Sequence, residues 1–293
     1  MHRTLRPFEL FEAETVEEAV ALLSTNGRKA KVLAGGLDLI SKMRRWQINP
    51  EVVVSIQQIR ELDYVKGNET GGIGIGALAT LRSIELSSLI QDNYRLLYEA
   101  VHQIASVQVK TMGTAVGNLC VATPASDVVP PLIVLGAALG IKGPDGERMI
   151  PLEDFYSGVE ETILKPDEMV TEIRIPPVPP GSGDAFLKLA NTAACIAKVN
   201  VAVIATVADG ICRDVKIALG SVAPTVIRAN EAEEILKGDA CDGKTITRAA
   251  KAAAGQSTPI TDLRSNAAYR KGMVEVLVRR GIETALERSR AQS

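Results

Sequence analysis

Apolar residues recur along this chain with two different periods, and the switches between them mark its elements. Val16, Ala19, Val20 and Leu23 fall on one helical face. Thr15 precedes them as an N-cap with Glu18 placed to reach back in a capping box, and Asn26-Gly27 supplies a stop. Residues 31–34 read as a strand, followed by a Gly-Gly turn and a short helix over residues 39–43. The run Val52-Val53-Val54-Ser55-Ile56 is too continuously apolar for a half-exposed strand. The resulting β-α-β-α-β order makes residues 1–58 a small α/β unit.

A second unit is expected over residues 59–178. Tyr64-Val65-Lys66 and Ile73-Gly74-Ile75-Gly76-Ala77 flank a turn and read as a hairpin. Thr80 is placed to cap a helix running through Leu81, Ile84 and Leu89, and residues 94–104 form another amphipathic helix. Pro130-Pro131-Leu132-Ile133-Val134-Leu135 opens an apolar element, residues 142–147 a turn, and residues 169–175 a strand of alternating exposure. Pro176-Pro177-Val178-Pro179-Pro180-Gly181-Ser182-Gly183 looks like a linker, which sets a boundary near residue 180. Strands at 186–189, 199–207 and 215–219, then helices at 231–237, 247–254 and 266–288, give residues 184–290 an α+β pattern with a three-stranded antiparallel sheet.

Composition narrows the function more than the fold. At 293 residues the chain has room for two domains or three small ones. A net charge of −2 offers no basic field, which argues against nucleic acid or an anionic membrane as partner. No apolar run reaches transmembrane length and the N-terminus lacks a signal-peptide core, so a cytoplasmic protein is expected. Cys120, Cys195, Cys212 and Cys241 form no Cys-x-x-Cys pair, and metal-ligand spacing is absent. The two histidines are His2 and His102, the latter read as structural or solvent-facing. Chemistry is therefore expected from a bound cofactor rather than from side-chain acids, bases or nucleophiles.

Two glycine-bearing loops are candidates to hold it. Lys31-Val32-Leu33 leads into Ala34-Gly35-Gly36-Leu37-Asp38, where a strand, a tight turn and a helix start aim free N–H groups at the turn. Such a turn suits a phosphate or pyrophosphate. The second loop is Gly113-Thr114-Ala115-Val116-Gly117-Asn118, whose small residues admit a ligand close to the backbone. After it, Asp127 is placed either to accept from a ribose hydroxyl or to cap a helix over residues 128–135.

Together these blocks resemble the medium, FAD-binding subunit of the molybdenum hydroxylases, the family of xanthine dehydrogenase, aerobic carbon monoxide dehydrogenase, nicotinate dehydrogenase and 4-hydroxybenzoyl-CoA reductase. The resemblance spans nearly the whole chain. Its hallmarks are Ala34-Gly35-Gly36-Leu37-Asp38-Leu39 and Gly113 to Asn118, with Pro124-Ala125-Ser126-Asp127 after the latter. Further matching blocks are Gly74-Ile75-Gly76-Ala77-Leu78-Ala79-Thr80, Gly220-Ser221-Val222-Ala223-Pro224-Thr225, and Asp262-Leu263-Arg264 to Tyr269-Arg270.

The resemblance implies a vanillyl-alcohol-oxidase (PCMH)-type FAD module of two α/β subdomains plus the α+β C-terminal domain, the latter covering one side of the flavin. It implies FAD, with the molybdopterin and the 2Fe–2S clusters in partner subunits: a molybdopterin large subunit and an iron–sulfur small subunit. NAD⁺, a quinone or another molecule would accept the electrons. By resemblance, Ala34 through Asp38 and Thr114 through Asn118 embrace the pyrophosphate, with Lys31, Val32 and Leu33 in the same cofactor-binding set. Asp127 would bind near the adenosine half, Ala105 and Ser106 would line the adenine side, and Met169, Val170 and Lys188 would lie near the flavin ring. Local readings stand beside these: Met169 and Val170 as core strand, Lys188 as a solvated strand residue, Ser106 as a helix terminus.

Two positions depart from the family pattern. Leu37 stands where relatives keep a hydroxyl, and Val116 replaces the first of two adjacent glycines. A β-branched residue is strained at positive φ, so either the loop bends at Gly113 or Gly117 instead, or FAD binds weakly. A flavin-less paralogue keeping only the assembly role is thus one alternative. A stand-alone flavin oxidoreductase resembling the UDP-N-acetylenolpyruvylglucosamine reductases is another. No cysteine-rich insertion is present, so no extra iron–sulfur cluster is expected in this chain.

Overall fold

Parallel strands need crossovers, and the N-terminal pattern supplies two. In the computed structural model, which describes residues 4–291, β1 (Glu9–Glu12), α1 (Val16–Asn26), β2 (Ala30–Leu33), α2 (Leu37–Arg44) and β3 (Val52–Ser55) build a parallel sheet in the order β1-β3-β2. All four residues of β3 are buried, as its unbroken apolar run requires. The Thr15 hydroxyl accepts from the Glu18 N–H. The Glu18 carboxylate, however, passes the Thr15 N–H and accepts from that of Glu14 at 2.9 Å.

The second sheet contains β4 (Val65–Gly67), β5 (Ile73–Gly76), β6 (Ala138–Gly143) and β7 (Gly146–Pro151). After a small side pair, β8 (Tyr156–Gly158) and β9 (Glu161–Thr162), it is completed by β10 (Met169–Ile175), in the antiparallel order β4-β5-β10-β6-β7. Six short helices fill the excursion between β5 and β6: α3 (Leu81–Leu86), α4 (Ser88–Asn93), α5 (Arg95–His102), α6 (Val107–Met112), α7 (Ala115–Cys120) and α8 (Val129–Val134). The helix expected from Thr80 through Leu89 is thus two helices. Ser87 lies between them in extended conformation, ending α3 and starting α4, a place serine favours over a helix interior. The Gln91 amide covers the Glu85 carbonyl across this break at 2.8 Å.

The C-terminal sheet has the three long strands expected, β11 (Ser182–Leu189), β12 (Val199–Ala208) and β13 (Ile211–Gly220), plus a two-residue β14 (Ile227–Arg228) on its edge. On one face lie α9 (Asn230–Leu236), α10 (Gly243–Gln256) and α11 (Ala267–Arg290); α5 and α8 cover the other. Burial on both faces explains the nearly unbroken apolar sequence of β12. Val199, Val201, Val203 and Ala205 enter the core shared with α9–α11, whereas Ala202 and Ile204 join the core of the N-terminal module. Gly183 is jammed under α11: a Cβ there would lie 2.1 Å from the Ala285 carbonyl oxygen. The Ser289 hydroxyl closes this contact by donating to the Gly181 carbonyl and accepting from the Val207 N–H.

Candidate functional site

The two glycine loops pack against each other. A Cβ on Gly35 would stand 2.1 Å from the Met112 carbonyl oxygen and 3.2 Å from Gly113 Cα. Only glycine lets the first loop rest on the second. Gly36 adopts the left-handed conformation at φ +74° and serves as the N-cap of α2 with no side chain to offer. The first-turn N–H groups of α2 therefore carry no side-chain cap, the arrangement that receives an anion. Residues 32–37 are half-buried while Lys31 and Asp38 are exposed, which leaves one side of the loop open. The backbone behind it is fixed, because Ala34 O accepts from the Gln57 amide at 2.7 Å and Leu33 O from the Ile56 N–H at 3.0 Å.

Most of the second loop is helix rather than loop. Thr114 caps α7 through the Gly117 N–H at 3.0 Å. The Leu81 N–H donates to Gly113 O at 2.8 Å and the Ala115 N–H to Ala79 O at 3.3 Å, pinning the segment to residues 79–81. The bend expected at Gly113 or Gly117 is not made there through positive φ: Gly113 has φ −71° and neither glycine is left-handed. Val116 sits in the first turn of α7 with its side chain in the core, 5% exposed, so its β-branch meets no strain. Leu37 fills space rather than leaving a gap, its Cδ1 lying 3.2 Å from where a Gly113 Cβ would be. Asn118 accepts from the Ser126 hydroxyl, which itself accepts the N–H groups of Val128 and Val129 at the start of α8. Ser126, not Asp127, performs the capping.

Asp127 is occupied elsewhere. Its Oδ2 accepts from Lys188 Nζ at 2.6 Å and its Oδ1 from Asn200 Nδ2 at 2.7 Å. Lys188 Nζ also donates to Gln103 O at 3.2 Å, and Asn200 Nδ2 to Ser126 O at 3.0 Å. Burial pushes the Asp127 carboxyl above its ordinary value, opposed by the Lys188 charge and by both hydrogen bonds. With a side chain 4% exposed, Lys188 is not a solvated strand residue. Asn200 was missed in sequence, although a signal existed: it is the one polar residue in the first seven of the apolar β12. Its Oδ1 is fully buried without a hydrogen-bond partner among the described residues, and a Cβ on Gly220 would lie 2.0 Å from it.

The remaining positions surround this line of bonds. Met169 and Val170 are core residues, each 3% exposed, paired with Lys142 and Ile141 of β6 beyond the end of the β5 pairing. α7 packs on β10. Ala105 is half-buried and left-handed at φ +38°, and Ser106 caps α6 through the Val109 N–H. Before it, a buried cluster that sequence reading missed ties α3, α5 and α6 together. Glu85 receives Lys110 Nζ at 2.6 Å, Arg82 Nη1 at 2.6 Å and His102 Nδ1 at 2.9 Å, the His102 side chain itself being 63% exposed. Bonded neighbours thus run from Thr114 through Asn118, Ser126, Asp127 and Lys188 to Gln103, two residues before Ala105. The one charged pair on this path, Asp127 with Lys188, is a buried ion pair, and among the described residues no helix is long and apolar enough to cross a membrane.

Residues 6–178 match the family described as "FAD binding domain in molybdopterin dehydrogenase", and residues 184–285 the "CO dehydrogenase flavoprotein C-terminal domain". The carbon monoxide dehydrogenase medium chain of Afipia carboxidovorans is 34% identical over 283 residues, covering 97% of this chain and 98% of that one. The xanthine dehydrogenase FAD-binding subunit of Escherichia coli O157:H7 is 26% identical, covering 94% of each. Among solved structures, a chain of carbon monoxide dehydrogenase from Hydrogenophaga pseudoflava superposes with a TM-score of 0.95 at 34% identity, over 97% of this chain and 99% of that one.

Proposed function

Because this chain belongs to the FAD-binding subunits of the molybdenum hydroxylases, an oxidoreductase family, we propose that it relays electrons within such a complex. They would arrive from 2Fe–2S clusters of an iron–sulfur small subunit, after substrate oxidation in a molybdopterin large subunit, and leave to NAD⁺, a quinone or another acceptor, in the cytoplasm. The observation that carries this reading is the contact of Gly35 with Met112 and Gly113, which sets the second glycine segment against the phosphate-suited turn at the uncapped start of α2. FAD, when bound, supplies the electron-accepting and electron-donating chemistry.

The chain's own residues bind and orient. Ala34 through Asp38 and Thr114 through Asn118 would hold the pyrophosphate, with Lys31, Val32 and Leu33 in the same cofactor-binding set; the missing hydroxyl at Leu37 removes one hydrogen bond to a charged oxygen, about 1.5–3 kcal/mol. Asp127 and Ala105 would meet the adenosine side, and Met169, Val170 and Lys188 the ring side. Residues 1–58 and 59–178 would enclose the cofactor between them, with residues 184–290 closing one flank. The ground for a flavin-less reading weakens, since Val116 is helical and Leu37 is packed.

Purified wild-type chain, alone or with its partner subunits, is expected to show the visible flavin bands and to lose them on dithionite reduction. Gly35→Ala, which must push Met112 away, is expected to abolish flavin retention while the far-ultraviolet circular dichroism keeps its helical signal. A wild-type chain that stays colourless after reconstitution with excess FAD overturns the reading.

A further inference from the structure

Away from the glycine loops, on the helix-covered side of the C-terminal sheet, two of the four cysteines meet. Cys212 lies at the start of β13, and Cys241 in the connection between α9 and α10. Both belong to one buried cluster, the Cys212 thiol donating to Asp214 O at 3.5 Å and the Cys241 thiol to Leu236 O at 3.5 Å and Asp239 O at 3.6 Å, and each thiol perturbs the ionisation of the other. Backbone bonds fix their approach: the Cys212 N–H donates to Asp239 O at 2.9 Å, and the Gly238 N–H to Cys212 O at 2.8 Å.

Cys241 is also one of the few non-glycine residues with positive φ, at +53°. Such a conformation is strained for an ordinary side chain and suits glycine or asparagine. Here it turns a thiol inward onto Cys212, held by the Asp239 carboxylate accepting from the Cys241 N–H at 2.7 Å. Cys241 is 5% exposed, but Ala240 and Asp242 on either side are exposed, so the thiol lies one residue beneath solvent. Arg290 donates to the Ala240 carbonyl at 3.2 Å, bringing a positive charge beside it. The neighbouring Cys212 thiol holds that of Cys241 below its ordinary pKa, against burial and the Asp239 and Asp242 carboxylates, while that of Cys212 is raised, so Cys241 ionises first. Cys195 and Cys120 have other surroundings, Thr192 and Tyr156 respectively.

We propose that Cys212 and Cys241 are a peroxide-oxidised dithiol, closing to a disulfide that ties the start of β13 to the α9–α10 connection. The Cys241 sulfur attacks one oxygen of hydrogen peroxide, and the O–O bond breaks. The departing hydroxide takes a proton to become water, leaving Cys241 as sulfenic acid. The Cys212 sulfur then attacks the Cys241 sulfur, the S–O bond breaks, and the hydroxyl leaves as a second water with the Cys212 proton. Two thiols lose two electrons in total, and one peroxide becomes two waters.

The reduced full chain is exposed to increasing hydrogen peroxide, quenched with catalase, unfolded in an alkylating reagent and digested with trypsin. Cleavage after Arg213 and Lys237 places the two cysteines in separate peptides. The expected result is one cross-linked pair containing Cys212 and Cys241, with matching loss of alkylation at both and recovery by dithiothreitol. Cys212→Ala should divert Cys241 to the sulfinic acid, and the wild-type map decides even where that variant fails to fold. Three results would overturn the proposal: both thiols still alkylated after Cys120 or Cys195 has reacted, Cys241 overoxidised with Cys212 intact in the wild type, or either one joined to Cys120 or Cys195.

Discussion

Lys188 and Asp127 form an ion pair in a setting where neither tolerates isolation. The pair is buried, and Asn200 supplies the carboxylate's second bond. Removing one partner of a buried ion pair costs about 3–5 kcal/mol, whereas removing both together costs far less. Lys188→Met is therefore expected to lower the unfolding free energy by about that amount, and Lys188→Met with Asp127→Asn to restore most of it. A double-mutant cycle in urea measures the difference; an additive result would show that the two do not act as a pair. The sequence marked Asp127 by its place after the second loop and Lys188 through resemblance, but their partnership spans 61 positions and leaves no local mark. The glycine loops were legible for the opposite reason: a strand, Gly-Gly and a helix start are neighbours in the chain.

Among the elements, α11 shows how a loop residue holds a long helix in place. Asp262 precedes it and accepts from the N–H groups of Arg264 and Ser265 and from the Arg270 guanidinium at 2.6 Å; Arg270 in turn donates to Ser221 O. Desolvation acts to raise the Asp262 carboxyl, but these bonds outweigh it and hold the pKa at about 2. Since the unfolded value is about 3.9, the carboxylate stabilises the fold at pH above about 4 and that contribution is lost as pH falls through about 2. Subtracting the acid titration of stability of Asp262→Asn from that of the wild type is expected to isolate a slope confined to that window. The long helices and β12 were legible because they repeat their pattern many times. In the excursion between β5 and β6, α5 and the apolar α8 were legible, but α3, α4, α6 and α7 were not, since helices of six residues complete fewer than two turns and cannot display a period. Its breaks are decided by single residues such as Ser87.

At the scale of the whole molecule, the C-terminal sheet is the wall between two cores, with alternate residues of β12 serving each. Arg288 of α11 spans that wall, reaching Glu99 of α5 at 3.1 Å and the Asp184 carbonyl at 2.7 Å. Arg288→Ala is expected to cost about 1–2 kcal/mol, given the partial exposure of the pair, and to speed amide hydrogen exchange in α5 and β11. Unchanged exchange would mean that this bridge does not hold the two modules together. The proline-rich stretch read in the sequence as a linker is stiff at one end and trapped at the other. Four of its first five residues are proline, and Gly183 and the Gly181 carbonyl are locked beneath α11. Between the modules lies a strut, not a hinge. Swinging the C-terminal sheet away would carry α9–α11 with it and strip bare the apolar face that α5 and α8 cover, so the two modules are expected to move as one body.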